Sequence, residues 1–427
     1  MTTPCPTPLP TITVTPQDRD LLRSLAARVR QIADDPSMPG RKKRWYQHNA
    51  LQPQGPMILC YPEGCWTELL PEKTCQCQDP QLREWEWNLR SQIYWWEHIH
   101  DDNALEPYFN VSWKFDLGTF GVKIPYHYGD NRGSYTWEPP LKDLSQDLAL
   151  LKHRQPAVDR QKMQRDLDIT HSIFGDILPP RTRSINWWTV GLTMDAAFLM
   201  GMEGLMLAMY DQPEQLHQLM AFLRDDLTNI ITWAEKQGLL TPENENDNIG
   251  SGSVGYTDQL PSCPTPGQNH LTLRQQWGFA ESQETVGVGP DQFAEFILPY
   301  QVQMLDHFGL NHYGCCEPLE LRIDHVIAHI PRLRRVSVAP SANQAIMAEK
   351  LGKKYIFSRK PYPAHVCVGF NEPAIREDLR QTLEVAGDLC LEIILKDTHT
   401  VEKDPQRITR WIQIAYEEVD RYRNRHS

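Results

Sequence analysis

Residues 310–360 read LNHYGCCEPLELRIDHVIAHIPRLRRVSVAPSANQAIMAEKLGKKYIFSRK. Short runs at Leu310–Cys316, Arg335–Ala339 and Tyr355–Ser358 alternate with two helical patterns. One pattern carries Leu319, Ile323, Ile327 and Ile330; the other spans Asn343–Leu351 and stops at Gly352. Strand-sized runs separated by amphipathic helices predict βα units, hence a parallel sheet with helices outside. The pattern continues downstream: Asn371 caps a helix running to Gly387, Leu391–Leu395 reads as a strand, and Ile408, Trp411, Ile412, Ala415 and Val419 share one helical face. Upstream, Trp277–Ser282 is a strand, and Pro299 should kink a helix over Pro290–Phe308. Further helices are expected over Pro16–Ala33, Leu82–His98, Leu141–Leu151, Arg160–Phe174, Ala196–Tyr210 and Pro213–Gln237, the last ended by Gly238. Tyr108–Phe115 reads as a strand, Leu117–Asp130 as a loop over a site, and Pro36–Asp79 as mixed turn and strand.

At least four βα units in a chain of 427 residues favour a (β/α)8 TIM barrel over a doubly wound sheet. The barrel is expected over 106–427, with an N-terminal helical and irregular extension over 1–105 packing on it. Gly250, Gly252 and Gly255 have dinucleotide-like spacing, but the following YTDQLPSC does not open a helix, so that site is rejected.

Fifty-five acids against 43 Lys plus Arg leave a net charge of −12. That balance excludes general nucleic-acid binding, which needs a basic face. The most apolar segment, Met194–Tyr210, contains Asp195 and Glu203, so no membrane span is expected. The start, MTTPCPTPLPTITVTP, has neither a basic lead nor an apolar core, and the chain reads as cytoplasmic. Ten cysteines in that compartment read as free thiols or ligands.

In a barrel, chemistry gathers where strands end. The candidate strands are followed by Glu281-Ser-Gln283-Glu284, His312-Tyr-Gly-Cys315-Cys316-Glu317, Ser358-Arg359-Lys360 and Lys396-Asp397-Thr-His399. Cys315, Cys316 and Glu317, with His312 beside them and His399 from a later strand, offer a tetrahedral zinc shell. The competing reading makes Cys315 and Cys316 small buried hydrophobes. Cys60, Cys65, Cys75 and Cys77 fit no common zinc spacing, Arg41–Arg44 reads as a solvated face, and the Trp85–Trp96 stripe reads as core. Trp113, Tyr126, His127 and Tyr128 could wall a pocket, and Trp187 and Trp188 fall near a strand end. Arg359 and Lys360 could hold a carboxylate or form a surface pair.

Three stretches, residues 277–301 (WGFAESQETVGVGPDQFAEFILPYQ), 309–366 and 391–411 (LEIILKDTHTVEKDPQRITRW), resemble the uroporphyrinogen decarboxylase superfamily. More narrowly, they resemble its branch near the cobalamin-dependent methyltransferases. Residues 188–214 extend the resemblance weakly. It implies a (β/α)8 barrel, a zinc ion held by His-x-Cys and a later Cys, and methyl exchange with a separate corrinoid protein. Here the His-x-Cys position reads Tyr313-Gly-Cys315, and the late cysteine's place holds Asp397 and His399. No RQAGR-like stretch and no Asp-x-His-x-x-Gly corrinoid signature is present, so any cobalamin must arrive on a partner.

The leading expectation is a zinc-dependent methyltransferase acting between a small methylated substrate and a partner's corrinoid. Cys315, Cys316, Glu317 and His399 are the expected ligands. Glu281, Gln283 and Asp397 would handle protons or orientation, and Trp113, Lys114, Asp116, Tyr126 and Arg359 would bind substrate. A homodimer is compatible with the architecture. The alternatives are a metal-free decarboxylase or lyase using Arg359, Lys360 and Lys114 for a carboxylate, and a non-catalytic binder of a methylated compound.

Overall fold

The computed structural model describes residues 11–129, 134–184 and 189–426. The protein is α/β, and eight strands organise it: β1 (Met57–Cys60), β2 (Phe109–Ser112), β3 (Pro180–Arg183), β4 (Trp277–Ala280), β5 (Leu310–Tyr313), β6 (Leu333–Val338), β7 (Ile356–Arg359) and β8 (Cys390–Leu395). Strands β4 to β8 neighbour one another in chain order, and β1 adds to β8, giving a six-stranded parallel sheet. β2 and β3 form a separate parallel pair. The segment before residue 105, expected as an extension, supplies a strand of the central sheet. The pairing Cys60↔Leu395 also sets the residues after β1 beside those after β8.

Alternation decides what each face of the sheet meets. Leu391, Ile393 and Leu395 of β8, with Val336 and Val338 of β6, join the apolar cluster that holds the outer helices. The last of these helices, Gln406–His426, buries Ile408, Trp411, Ile412, Ala415 and Val419, the face expected from the sequence. Each such side chain contributes about 1.5–3 kcal/mol by leaving water.

The opposite face is polar. Glu392 of β8 lies 2.9 Å from Arg335 of β6 and 3.3 Å from His48, and accepts from Ser253 and Ser358 at 2.7 and 2.5 Å. Lys360 donates to Ser358 at 2.6 Å, and His312 pairs with Ser337 at 2.9 Å. All of these groups are buried. Burial lowers Lys360 to about 7 against the pull of Glu392. Burial, Arg335 and Lys360 together hold His312 well below its usual range.

Side-chain carboxylates supply some of the partners at the sheet's two edges. Ile58 and Cys60 N–H groups of β1 donate to Asp102 and Asp101 at 2.8 and 2.9 Å. On the far side, Trp277 N–H of β4 donates to Glu243 at 3.2 Å, and Val190 N–H donates to Phe279 O at 2.8 Å. A buried backbone group needs such a partner.

Burial pushes Glu243 up to about 8, with Asp247 adding to the effect. Its folded value exceeds its unfolded one, so its stabilising contribution is full in mild acid and is lost as pH rises through about 8. Glu243→Gln should therefore match the wild type near pH 5 and exceed it above pH 8 by about 2–4 kcal/mol. Urea midpoints across that range measure it, and a pH-independent difference would contradict the assignment.

The helices agree with the sequence in most places. Pro16–Ala33 and Arg160–Phe174 are as expected. Gly201, at φ +79°, splits the expected Ala196–Tyr210 helix in two, and the Pro299 helix breaks at Ile297. Two further elements were not legible: the helix Met38–Asn49 and strand β1, both inside the stretch read as mixed. No helix among the described residues is long and apolar enough to cross a membrane.

Candidate functional site

Three strand ends converge at one rim. After β5 the chain turns at Gly314, whose φ of +89° suits glycine, and a Cβ there would meet Leu319 at 2.7 Å. This turn presents Cys315 and Cys316, with sulfurs 3.5 Å apart. From the end of β8, Lys396 Nζ lies 3.5 Å from Cys316 Sγ and 2.8 Å from Asp397 Oδ2. Cys316 Sγ itself lies 3.5 Å from Asp397 Oδ2. From the end of β1, Glu63 accepts from Asp397 N–H at 2.9 Å.

The electrostatics separate the two thiols. The hydrogen bond from Cys316 lowers the Cys315 thiol below its ordinary value, against burial, and Lys396 and Ser251 lower it further. Cys316 is pushed up by donating that bond and by burial. Burial opposes the charge on Lys396, but the two sulfurs and Asp397 outweigh it and keep the ammonium protonated. The arrangement is a pair of sulfurs beside an ammonium, with a carboxylate at its edge.

Glu63, Asp397 and His399 each offer a ligand atom, and these atoms lie within 4.8 Å of one another. A tetrahedral zinc shell with bonds of about 2.0–2.3 Å sets its donors about 3.3–3.8 Å apart. The three N and O donors, within 4.8 Å of one another, are of the right chemistry and would draw closer around an ion, and the Cys316 sulfur lies 3.5 Å from the Asp397 carboxylate. Burial, then Asp397, raise Glu63 above its ordinary value, against the pull of Lys396 and of the Asp397 N–H.

Of the four expected ligands, Cys315 and Cys316 come together and His399 joins Asp397. Glu317 stands apart from this group. Its carboxylate, buried, accepts from the backbone N–H groups of Ser282 and Cys315 at 2.9 and 3.0 Å, which braces the turn. His312 lies on the polar face of the sheet with Ser337, away from the thiols. Glu63 was missed by sequence reading, although it follows an apolar run and a turn in the manner of a strand-end acid.

Glu281, at the end of β4, is fully buried. One oxygen accepts from Gln283 N–H at 2.9 Å; the other has no partner among the described residues. Burial, then Glu284 and Glu317, raise it well above the carboxylate range. Gln283 itself opens a short turn there and is half-buried.

The expected substrate residues do not assemble. Arg359 turns away from the rim: its guanidinium donates to Ala339 O and Asp378 at 2.6 Å each, pinning an outer helix. Lys114 pairs with Glu84 in solvent, and Asp116 accepts from Gly118 N–H in an exposed turn. Tyr126 sits in an exposed hairpin of 126–128 with 135–137, where its ring meets Phe198 at 6.0 Å. Trp113 is half-buried under Arg160, 5.6 Å from its ring. The physical reason is common to them: each has a local partner in its own layer. Trp187, Trp188 and the first ten residues lie outside the described residues. The Arg41–Arg44 run is no solvated face, since Arg41 stacks 5.0 Å from Trp96 and Arg44 pairs with Asp102 at 2.8 Å.

No protein-family model matches the chain, and no curated protein does. Among solved structures, a methyltransferase from Methanosarcina mazei is similar over 90% of this chain and 99% of its own, with 10% sequence identity and a TM-score of 0.49. A likeness at that level carries no inference about activity.

Proposed function

We propose that this chain is a zinc-dependent methyltransferase that moves a methyl group between a small methylated substrate and a corrinoid carried by a partner protein. The observation that supports it is the cluster of Glu63, Asp397 and His399, with ligand atoms within 4.8 Å and Cys316 at its edge. We also propose that the eight strands close as a (β/α)8 barrel; the placement of the first strand beside the last supports this.

Glu63, Asp397, His399 and Cys316 would hold the zinc. When bound, it supplies Lewis acidity toward the substrate's heteroatom. Lys396 fixes Asp397 and the Cys316 sulfur in one orientation. Glu281, which burial raises well above the carboxylate range, would give a proton to the heteroatom as that atom retains the pair of electrons from its methyl bond. The methyl itself passes to a reduced corrinoid. The metal-free decarboxylase reading needs three cations at one place, and two of them, Arg359 and Lys114, are engaged elsewhere.

The test has two parts. Protein equilibrated with zinc and desalted should retain about one ion per chain by elemental analysis, and His399→Ala should not. Supplied with cob(I)alamin and a panel of O-, N- and S-methyl compounds, the loaded protein should produce the methylcobalamin spectrum. Retention of zinc without any methyl transfer would leave a metal site and overturn the activity; no zinc at all overturns both.

A further inference from the structure

A cavity of about 340 Å³ opens beside β2, next to the segment that leads from β1 to Glu63. That size falls within the range of small-molecule pockets, about 300–1,000 Å³. Tyr61, Trp66, Trp87, Trp95 and Tyr108 line it, and neither Lys, Arg nor His does. The stripe read from sequence as core is thus divided: Trp85 is buried, while Trp87 and Trp95 face the cavity.

The polar groups on its wall define what it can hold. Glu106 is engaged with Tyr256 at 2.8 Å and Lys42 at 2.5 Å, so its charge is neutralised within the protein. The indole N–H groups of Trp87 and Trp95 donate to Leu70 O and Asp101, both at 3.0 Å, which leaves their rings as apolar faces. Asn110 Oδ1 accepts from Arg181 Nε at 2.8 Å, and Asn248 Oδ1 from Gly250 N–H at 3.0 Å. Neither partner can accept, so each amide's orientation is forced, and each NH2 group has no partner among the described residues. With the amides of Gln92, Asn103 and Asn246 also on it, the wall offers uncharged donors and acceptors beside aromatic faces.

Ring geometry narrows the class. Trp66 and Trp87 cross at 79°, and Tyr61 and Trp95 at 87°. A planar base stacks best in a slot between parallel rings, and a quaternary ammonium would use the aromatic faces but leave the amide donors without a partner. Crossed rings make a corner that suits a puckered ring with C–H groups on its faces and oxygens at its rim. We propose that this cavity binds an uncharged pyranose sugar. The proposal goes beyond the methyl-transfer reading and does not depend on it.

The test is calorimetric titration of the full chain, prepared without added metal, with glucose, galactose, mannose, xylose and N-acetylglucosamine. Tetramethylammonium chloride, adenine and glucose 6-phosphate serve as comparison probes. At least one neutral sugar should bind saturably and quench tryptophan fluorescence. Asn110→Asp and Asn248→Asp each keep the accepted bond and turn the donor into an acceptor. Each should raise the Kd about tenfold with an unchanged melting temperature. Binding of none of the sugars, tighter binding of any comparison probe, or sugar binding indifferent to both variants would overturn the proposal. Should either variant fail to fold, the wild-type titration and the quenching decide alone.

Discussion

Glu392→Gln is expected to lower folding stability by about 3–5 kcal/mol, because it breaks a buried ion pair from one side. Glu392 is fully buried and is approached by Arg335 at 2.9 Å and His48 at 3.3 Å. Burial opposes its charge, yet Arg335 and His48 hold its pKa well below the carboxylate range. For His48, burial opposes protonation, while the Cys390 sulfur and Glu392 raise it to about 9. Glutamine keeps the shape and removes the charge that both cations need. The signs give a pH window. The Glu392 contribution is present above the ordinary carboxylate value and is lost as pH falls through its depressed one. The His48 contribution is complete below about 6.5 and is lost as pH rises through about 9. The deficit of the variant should be greatest between these limits, read from urea midpoints at pH 4, 7 and 10. Arg335→Met added to Glu392→Gln should recover part of the loss, since no guanidinium is then left unpaired. An equal or larger deficit in the double variant would show that packing, not charge, is what Glu392 provides.

The second large effect concerns Asp397. Asp397→Asn should weaken zinc binding at least about 100-fold, a loss greater than that usual for groups that merely support a ligand. Asp397 has a φ of +57°, a conformation that asparagine shares more readily than alanine does, so the substitution removes charge with little added backbone strain. Its carboxylate stands between the Lys396 ammonium and the Cys316 sulfur, while its N–H donates to Glu63. Competition against a chromogenic zinc chelator gives the affinity, and the melting temperature without metal reports the fold. An unchanged affinity in a folded variant would move the metal, and with it the proposed chemistry, away from this rim.

The strands and helices of the second half were legible because period and length both spoke there. Leu391–Leu395 lies within β8, and Asn371 caps its helix as expected. Less legible was the polar face. Arg335 and Ser337 sit two residues apart and Glu392 and Lys396 four, both multiples of the strand period; an eye trained on apolar runs passes over charges inside them. The thiol pair was found from its residue types, whereas Glu63 escaped because β1 has only four residues and no helical pattern beside it. The substrate residues failed for another reason. Trp113, Lys114, Asp116 and Tyr126 were chosen by nearness to a strand end, and sequence does not show which partners, such as Glu84 for Lys114, will hold a side chain in its own layer.

The juxtaposition of the first and last strands bears on biogenesis. The bond from Asp397 to Glu63 joins residues 334 positions apart. No nascent polypeptide can assemble this rim until residue 397 has been made, so the early strand must wait, its edge open, for a neighbour made far later. Long-range pairing of that kind slows folding and favours chaperone engagement.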